Sequence, residues 1–235
     1  MSDRFYTSSK LAPGEFVFDG PEAHHLTTVR RFGPGDRLTL FNGDGHDYPA
    51  EVVSVGKKSA LLIVSKPLAA DRELGFPLIV GVALPKGDRA DFLIEKLTEL
   101  GATRFVPLVT ERSVVRPKED KVEKMERAVI EASKQCGRNV LMSVDPPRKW
   151  DDFFVQPDLP ALKLVLHTAA APAINTISTA EVHQGVAIAI GPEGGMTADE
   201  VTAAVAAEWR AVSLGKRVLR VETAAVAAAA WLAAV

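Results

Sequence analysis

Residues 191–201 read GPEGGMTADEV and residues 213–226 read SLGKRVLRVETAAV, and the two runs share one layout. The first follows the apolar run VAIAI (186–190), and the second grows out of AVSLG (211–215). Each apolar run empties into a glycine-bearing loop and then into a segment of helical character. In open α/β sheets ligands bind beyond the carboxyl ends of strands, where loop amides and helix starts are unpaired. Two such loops so close in sequence, both holding glycine and charge, read as the walls of one small-molecule pocket. Taken singly, Gly191, Gly194 and Gly195 are equally well read as tight-turn glycines, because short glycine motifs match often by chance.

Working back from those loops, the same rhythm of strand then helix extends to about residue 75. FPLIVGVAL (76–84) is a near-continuous apolar run, as a strand buried on both faces of a parallel sheet requires. LPKGD (84–88) leads into DRADFLIEKLTELG (88–101), with Asp88 as the expected N-cap, Ala90, Leu93, Leu97 and Leu100 as the buried stripe, and Gly101 at C′. RFVPLV (104–109) is the next strand, followed by TERSVVR (110–116). A second helix is expected in EDKVEKMERAVIEASKQCG (119–137), with Val122, Met125, Val129, Ala132 and Cys136 on one face. KLVLH (163–167) and VAIAI complete a layered α/β domain.

Residues 1 to about 70 differ. EFVFDG, RLTLFNGDG, YPAEVVSVG and SALLIVSKPL are short apolar runs separated by turn signals such as Asn42-Gly43, which suggests a small barrel or sandwich. Between the first two lies PEAHHLTTVRR (21–31), expected as one short helix with Ala23, Leu26 and Val29 inward. His24 and His25 do not make a metal site: neighbours on a helix point about 100° apart, and no Cys or carboxylate completes a ligand set. The boundary falls in AADRELG (69–75), dividing the chain into residues 1–72 and 73–235.

Composition sets limits. The 235 residues are 47% hydrophobic and 25% charged, with a net charge of −2, so a nucleic-acid surface has to be a local patch. The single cysteine, Cys136, rules out a disulfide framework and fits a reducing compartment. MSDRFYTSSK has no apolar core of leader length, and the Ala-rich run 224–235 is too short to span a bilayer; a cytoplasmic location is the expectation.

LPKGDRADFLIEKLTELGATRFVPLVTERSVVR, EASKQCGRN, IGPEGGMTADEV and SLGKRVLRVETAAV occur in this order, preceded by Arg4-Phe5 and HHLTTVRRFGPGD (24–36). Together they resemble the RsmE family of ribosomal RNA methyltransferases in the SPOUT superfamily, over nearly the whole chain. The resemblance implies a C-terminal domain whose end threads a deep trefoil knot around S-adenosylmethionine (SAM), and a smaller N-terminal PUA-like RNA-binding β-barrel. It also implies methylation of N3 of one uridine in 16S ribosomal RNA of the small subunit, by a homodimer, with no metal. General chain rules argue against knots, so that expectation comes from the resemblance alone.

Carried onto this chain, the resemblance places the cofactor at Leu166 and His167, at Gly191, Glu193, Gly194 and Gly195, and at Ser213, Leu214, Gly215, Val218, Leu219 and Thr223. Glycine permits the close approach of backbone that a Cβ would obstruct. Thr197 and Glu200 form a capping box for the helix after the glycine loop, and Thr223 is expected to cap the last helix. A uridine N3 carries a proton, so methylation needs a base or a positive environment for the anion. Lys86, Arg138, Arg220 and Glu222 are the candidates, with Glu222 as base or as a helix-start carboxylate paired with an arginine. Arg4, Arg30, Arg31, Lys86, Arg112 and Arg116 are the expected RNA contacts, although Arg30 and Arg31 are also explained as a solvated pair at a helix end. The chain departs from the family pattern at Cys136 (commonly serine), at Lys216 (often proline) and after His167, where Thr-Ala-Ala-Ala lacks the usual acidic residue.

Two rival readings stand beside this one. A nucleotide-binding α/β enzyme would use GPEGG as a phosphate nest, yet the chain has neither a P-loop run nor G-x-G-x-x-G after the 76–84 strand. A non-catalytic RNA-binding module would carry no cofactor pocket.

Overall fold

The computed structural model describes residues 3–168 and 172–235. Its contacts divide the chain into two compact units: Met1–Glu73 with Ile130–Leu141, and Leu74–Val129 with Met142–Val235. The first break lies inside the expected boundary stretch. The second lies within a helix, which no change of composition marks.

The first unit is built from β1 (Arg4–Tyr6), β2 (Gly14–Asp19), α1 (Gly20–His24), β3 (Arg37–Phe41), β4 (His46–Val55), β5 (Ser59–Val64) and β6 (Leu68–Ala69). The sheet order is β1-β3-β4-β5-β2, with β6 on β4. Among the described residues of this unit only the β1–β3 pair is parallel. Alternate residues point inward, as in β5, where Ala60, Leu62 and Val64 are buried, and they close on one core with Phe5, Phe18, Leu26 and Leu40. Among the described residues no ladder joins β2 back to β1.

The expected helix at 21–31 is two pieces. After α1, residues His25–Val29 wind as a π-turn, closed by the Arg30 amide donating to the His25 carbonyl at 2.9 Å. Ala23 and Leu26 are fully buried, but the wider turn carries Val29 out of register, leaving it 64% exposed.

The second unit comprises β7 (Leu78–Ala83), α2 (Asp88–Glu99), β8 (Arg104–Val109), α3 (Glu119–Cys136), β9 (Ser143–Val144), β10 (Arg148–Lys149), α4 (Trp150–Phe154), β11 (Leu162–Leu166), α5 (Thr179–Val182), β12 (Val186–Ile190), α6 (Ala198–Ala206), β13 (Arg210–Val212) and α7 (Val221–Ala233). Residues of α3 from Ile130 onward belong to the first unit. The seven strands run parallel in the order β10-β8-β7-β12-β11-β13, with β9 also on β8. Every residue of β7 and β12 is buried, which is what their unbroken apolar runs require. One cluster packs Ile79, Leu108, Val165 and Ala189 against Trp150, Phe153 and Trp209. Both buried indoles are satisfied, Trp150 Nε1 donating to the Glu200 carbonyl and Trp209 Nε1 to the Phe154 carbonyl, each at 3.2 Å. Ala225, Ala228 and Ala229 let α7 lie close on α2 and β7.

Three local expectations are corrected. Gly87, not Asp88, is the N-cap of α2; its φ of 63° suits a residue without Cβ, and Asp88 instead adds negative charge to the first turn. Arg220 is the N-cap of α7, because the chain enters the helix from extended geometry there; Thr223 lies within the first turn and is exposed. The last strand stops at Val212, because Ser213 leaves that ladder to bridge Ala173.

A candidate active site at three strand ends

The registers of β11, β12 and β13 bring their carboxyl ends level: Leu166 pairs with Ile190 on one side and with Val212 on the other. The loops leaving these strands therefore start side by side. They enclose a cavity of about 320 Å³, the size range of small-molecule sites. Leu166, Leu214 and Leu219 give it aliphatic walls, Gly191, Gly195 and Gly215 give it bare backbone, and Glu193 and Arg217 are its charged members.

Each loop is held from behind. The His167 amide donates to the Val212 carbonyl at 2.9 Å, and the Ser213 amide to the Pro172 carbonyl at 3.1 Å. The capping box at the start of α6 is present: Thr197 accepts from the Glu200 amide and Glu200 from the Thr197 amide. Glu200 also accepts from the Glu111 amide at 2.8 Å, so one buried carboxylate ties the glycine loop to the loop after β8. Arg112 extends that tie, donating to the Gly194 carbonyl at 3.1 Å.

Glycine is favoured at three positions here, one of them Gly215 with a φ of 105°. A Cβ on Gly191 would lie 2.6 Å from Met196 Cγ, and Gly195 has a φ of 72°. Gly194 is different. It does not line the cavity, and a Cβ there would meet Arg112 at an ordinary 3.4 Å.

The structure thus brings together Leu166, His167, Gly191, Glu193, Gly195, Leu214, Gly215, Val218 and Leu219 around one space, and adds Met196 and Arg217. Ser213 contributes backbone bonds behind the wall, while Gly194 and Thr223 are not in it. The alanines at 169–171, after His167 and Thr168, lie outside the described residues. Val218 is 83% exposed at the rim, an apolar side chain that no described residue covers.

None of the groups considered for proton chemistry lines the cavity itself. Arg220 and Lys86 are exposed, at the start of α7 and in the turn before α2. Glu222 is buried in the first turn of α7, with Oε2 lacking a hydrogen bond and lying 3.6 Å from Arg89 Nη1. Arg89 Nη1 also pairs with Glu193 at 3.0 Å, so this arginine of α2 faces both carboxylates. Sequence reasoning passed over Arg89; its place one residue after LPKGD on the first turn of α2 was the available signal. Arg138 is corrected: it belongs to the first unit, is 3% exposed, and its guanidinium pairs with Glu73, Nε to Oε1 at 3.0 Å.

Of the expected RNA contacts, Arg112 and Arg116 are exposed in the loop after β8, and Arg31 is exposed with a φ of 56°. Arg30 pairs with Asp3. Arg4 is corrected from an open phosphate contact to a largely buried cation. It donates to Asp47 at 2.8 Å and to the Arg138 carbonyl at 3.3 Å, and lies 4.9 Å over the Phe41 ring. Among the described residues, no group of three His, Cys, Asp or Glu side chains is placed to hold a metal ion, and no helix is long and apolar enough to cross a membrane.

Comparison with known proteins is consistent along the chain. Residues 72–233 match the family model described as an RNA methyltransferase domain, and residues 18–65 match one described as an RNA methyltransferase PUA domain. Ribosomal RNA small subunit methyltransferase E of Synechocystis sp. is 33% identical, over 90% of this chain and 70% of that protein. The Bacillus subtilis protein of the same name is 32% identical, over 89% of this chain and 86% of that one. The crystal structure of ribosomal RNA small subunit methyltransferase E from Neisseria gonorrhoeae, bound to SAM, superposes with a TM-score of 0.89 at 30% identity, covering 99% of this chain and 97% of that one.

Proposed function

The chain belongs to the RNA methyltransferase family of these relatives, and we propose that it moves a methyl group from SAM to N3 of a uridine in 16S ribosomal RNA. It is a SAM-dependent ribosomal RNA methyltransferase with a PUA domain. The observation that carries the placement of its chemistry is the alignment of three strand ends around a glycine-cradled cavity.

The cavity's residues fit the cofactor. Leu166, Leu214 and Leu219 would take its flat base, and the bare backbone at Gly191, Gly195 and Gly215 would admit its ribose and amino-acid parts where side chains would obstruct. When bound, SAM supplies an already activated methyl group, so the protein's tasks are orientation and exclusion of water. Glu193, held by Arg89, sets a fixed negative charge in the wall. Lys86 and Arg220, both exposed, are assigned to stabilise negative charge on the uracil as N3 gives its proton to solvent water. Glu222 does not line the cavity and is assigned to hold Arg89. Val218 at the rim is where an unstacked base would meet apolar surface. Arg31, Arg112 and Arg116 are assigned to RNA phosphates.

Two finer features are part of the reading. The path from β13 to α7 supports a knotted end, since the chain leaves the edge strand beside β11 and returns to pack α7 on β7 and β12. A homodimer in the cytoplasm is the assembly and location assigned. Calorimetry with SAM and with ATP tests the cofactor, since this function requires SAM binding without ATP binding. Transfer of labelled methyl to small-subunit particles, with mapping of N3-methyluridine, tests the reaction. ATP binding, or label on another atom, would overturn the corresponding part.

A further inference from the structure

The first unit holds a second cavity, of about 420 Å³, between the π-turn and the last turns of α3. Phe5, His25, Arg4, Arg30, Lys134, Gln135 and Glu131 line it. We propose that this cavity receives one unstacked nucleotide of the RNA substrate, its base lying against His25 and reading Gln135 and Lys134. The proposal rests on the methyltransferase reading and gives the first unit a specific task within it.

Three observations carry it. First, the wall is made by irregular backbone. The π-turn at His25–Val29 is capped by Arg30 and followed by Arg31, a non-glycine residue at φ 56°, and such irregular backbone collects at functional sites. Its product is an imidazole set edge-on to the Phe5 ring, with centroids 6.2 Å apart. Phe5 lines the cavity from the core side, which gives it an aromatic floor.

Second, the charges of the wall are already balanced. Lys134 pairs with Glu22 and Glu131, each at 3.0 Å, Arg4 with Asp47, and Arg30 with Asp3. A phosphate entering here would meet the Glu131 carboxylate as well as the cations. A base edge presents donors and acceptors together, and a wall of paired cations, a carboxylate and an amide matches that pattern.

Third, the net charge of −2 gives little general attraction to a polyanion. Affinity for RNA then has to come from particular contacts. Single-stranded RNA supplies them through splayed bases that stack on rings and bond along their edges.

The test begins with the wild-type protein. The four ribonucleosides, titrated to roughly 20 mM in reach of weak single-site binding, are expected to shift the His25 ring resonances. Absence of any shift overturns the proposal. Gln135 is exposed on α3, and Gln135→Trp would fill the cavity mouth. That variant is expected to lose the nucleoside response and to raise KM for unmethylated small-subunit particles about 10-fold, the scale of one lost stacked base. Its kcat and SAM affinity are expected to hold. Unchanged KM, or a fall in kcat alone, overturns the proposal. The methyltransferase reading fails separately, if the wild-type protein transfers no methyl group to those particles, and the substrate assignment of this cavity then fails with it.

Discussion

In the second unit the cavity wall is strand-end backbone, glycine and aliphatic side chain, with Glu193 and Arg217 as its charged members. In the first unit the wall carries Arg4, Arg30, Lys134 and Glu131, and each of those cations already has a carboxylate. One site is shaped by what is absent, since a Cβ at Gly191 would collide with Met196. The other is shaped by pairs of opposite charge that fix long side chains. A site of the first kind should be sensitive to added volume and indifferent to salt. One of the second kind should be sensitive to the loss of a single partner.

The largest expected effect breaks a pair in the first unit. Asp47 is 8% exposed and bonds both Arg4 at 2.8 Å and Arg72 at 3.0 Å. Asp47→Ala strands a buried guanidinium, at a cost of about 3 kcal/mol, the low end for such losses because Arg4 keeps the Arg138 carbonyl and the Phe41 ring. The tryptophans, Trp150, Trp209 and Trp231, all lie in the second unit. Amide exchange in β3 and β4 should therefore quicken in Asp47→Ala while the tryptophan unfolding curve barely moves. A loss shared equally by both probes would erase the contrast between the units.

Next comes added volume in the second unit. Gly191→Val should weaken SAM binding about 100-fold, close to 2.7 kcal/mol, by calorimetry. Gly194→Val, whose Cβ has room beside Arg112, should cost less than about tenfold. Equal losses at the two positions would show that the cradle is not where the strand ends place it.

A smaller effect is expected where the second site does depend on charge. Arg89→Ala leaves Glu193 and Glu222 facing without their shared cation; with Arg89 and Glu193 each about one-third exposed, water screens much of the loss. The expected cost is about 1 kcal/mol in stability and a several-fold rise in the SAM dissociation constant, both partly restored by Arg89→Lys. No change in either would remove Arg89 from the site.

The smallest effects are titrations that address the units separately. The Ser178 hydroxyl, with Arg210 beside it, holds Glu181 down at about 2. A lowered carboxylate supports the fold above its ordinary value near 4.5 and loses that support as pH falls towards 2. In the first unit the Tyr48 hydroxyl donates to Asp44 at 2.7 Å, which with burial pushes Tyr48 up to about 12. That contribution is whole below 10 and is lost as pH rises through 12. Acid should therefore loosen α5 first and alkali the β3–β4 turn, read by amide exchange. A Glu181 carboxyl titrating near 4.5 would remove the acid arm.

Much of this was legible in order along the chain. Unbroken apolar runs at 78–83 and 186–190 mark strands buried on both faces, and the Thr197–Glu200 spacing marks a helix start, because both signals are local. The π-turn was not legible: Ala23, Leu26 and Val29 have helical spacing, and only packing against Phe5 and the core selects the wider turn. Nor was the split of α3 between units, since its apolar stripe continues without a break across Val129 and Ile130.

What the amino-acid order determined by itself is the kind of each element and the chemistry available at its end, for these follow from periodicity, capping and side-chain type over a few residues. Which ends meet was decided in three dimensions. Leu166, Ile190 and Val212 stand level because β11 is hydrogen-bonded between β12 and β13. Arg89 reaches Glu193 and Glu222, more than a hundred positions away, because β12 pairs with β7, the strand before α2, and α7 packs on α2. Pairings at that separation depend on strand order and helix packing, which no local pattern encodes.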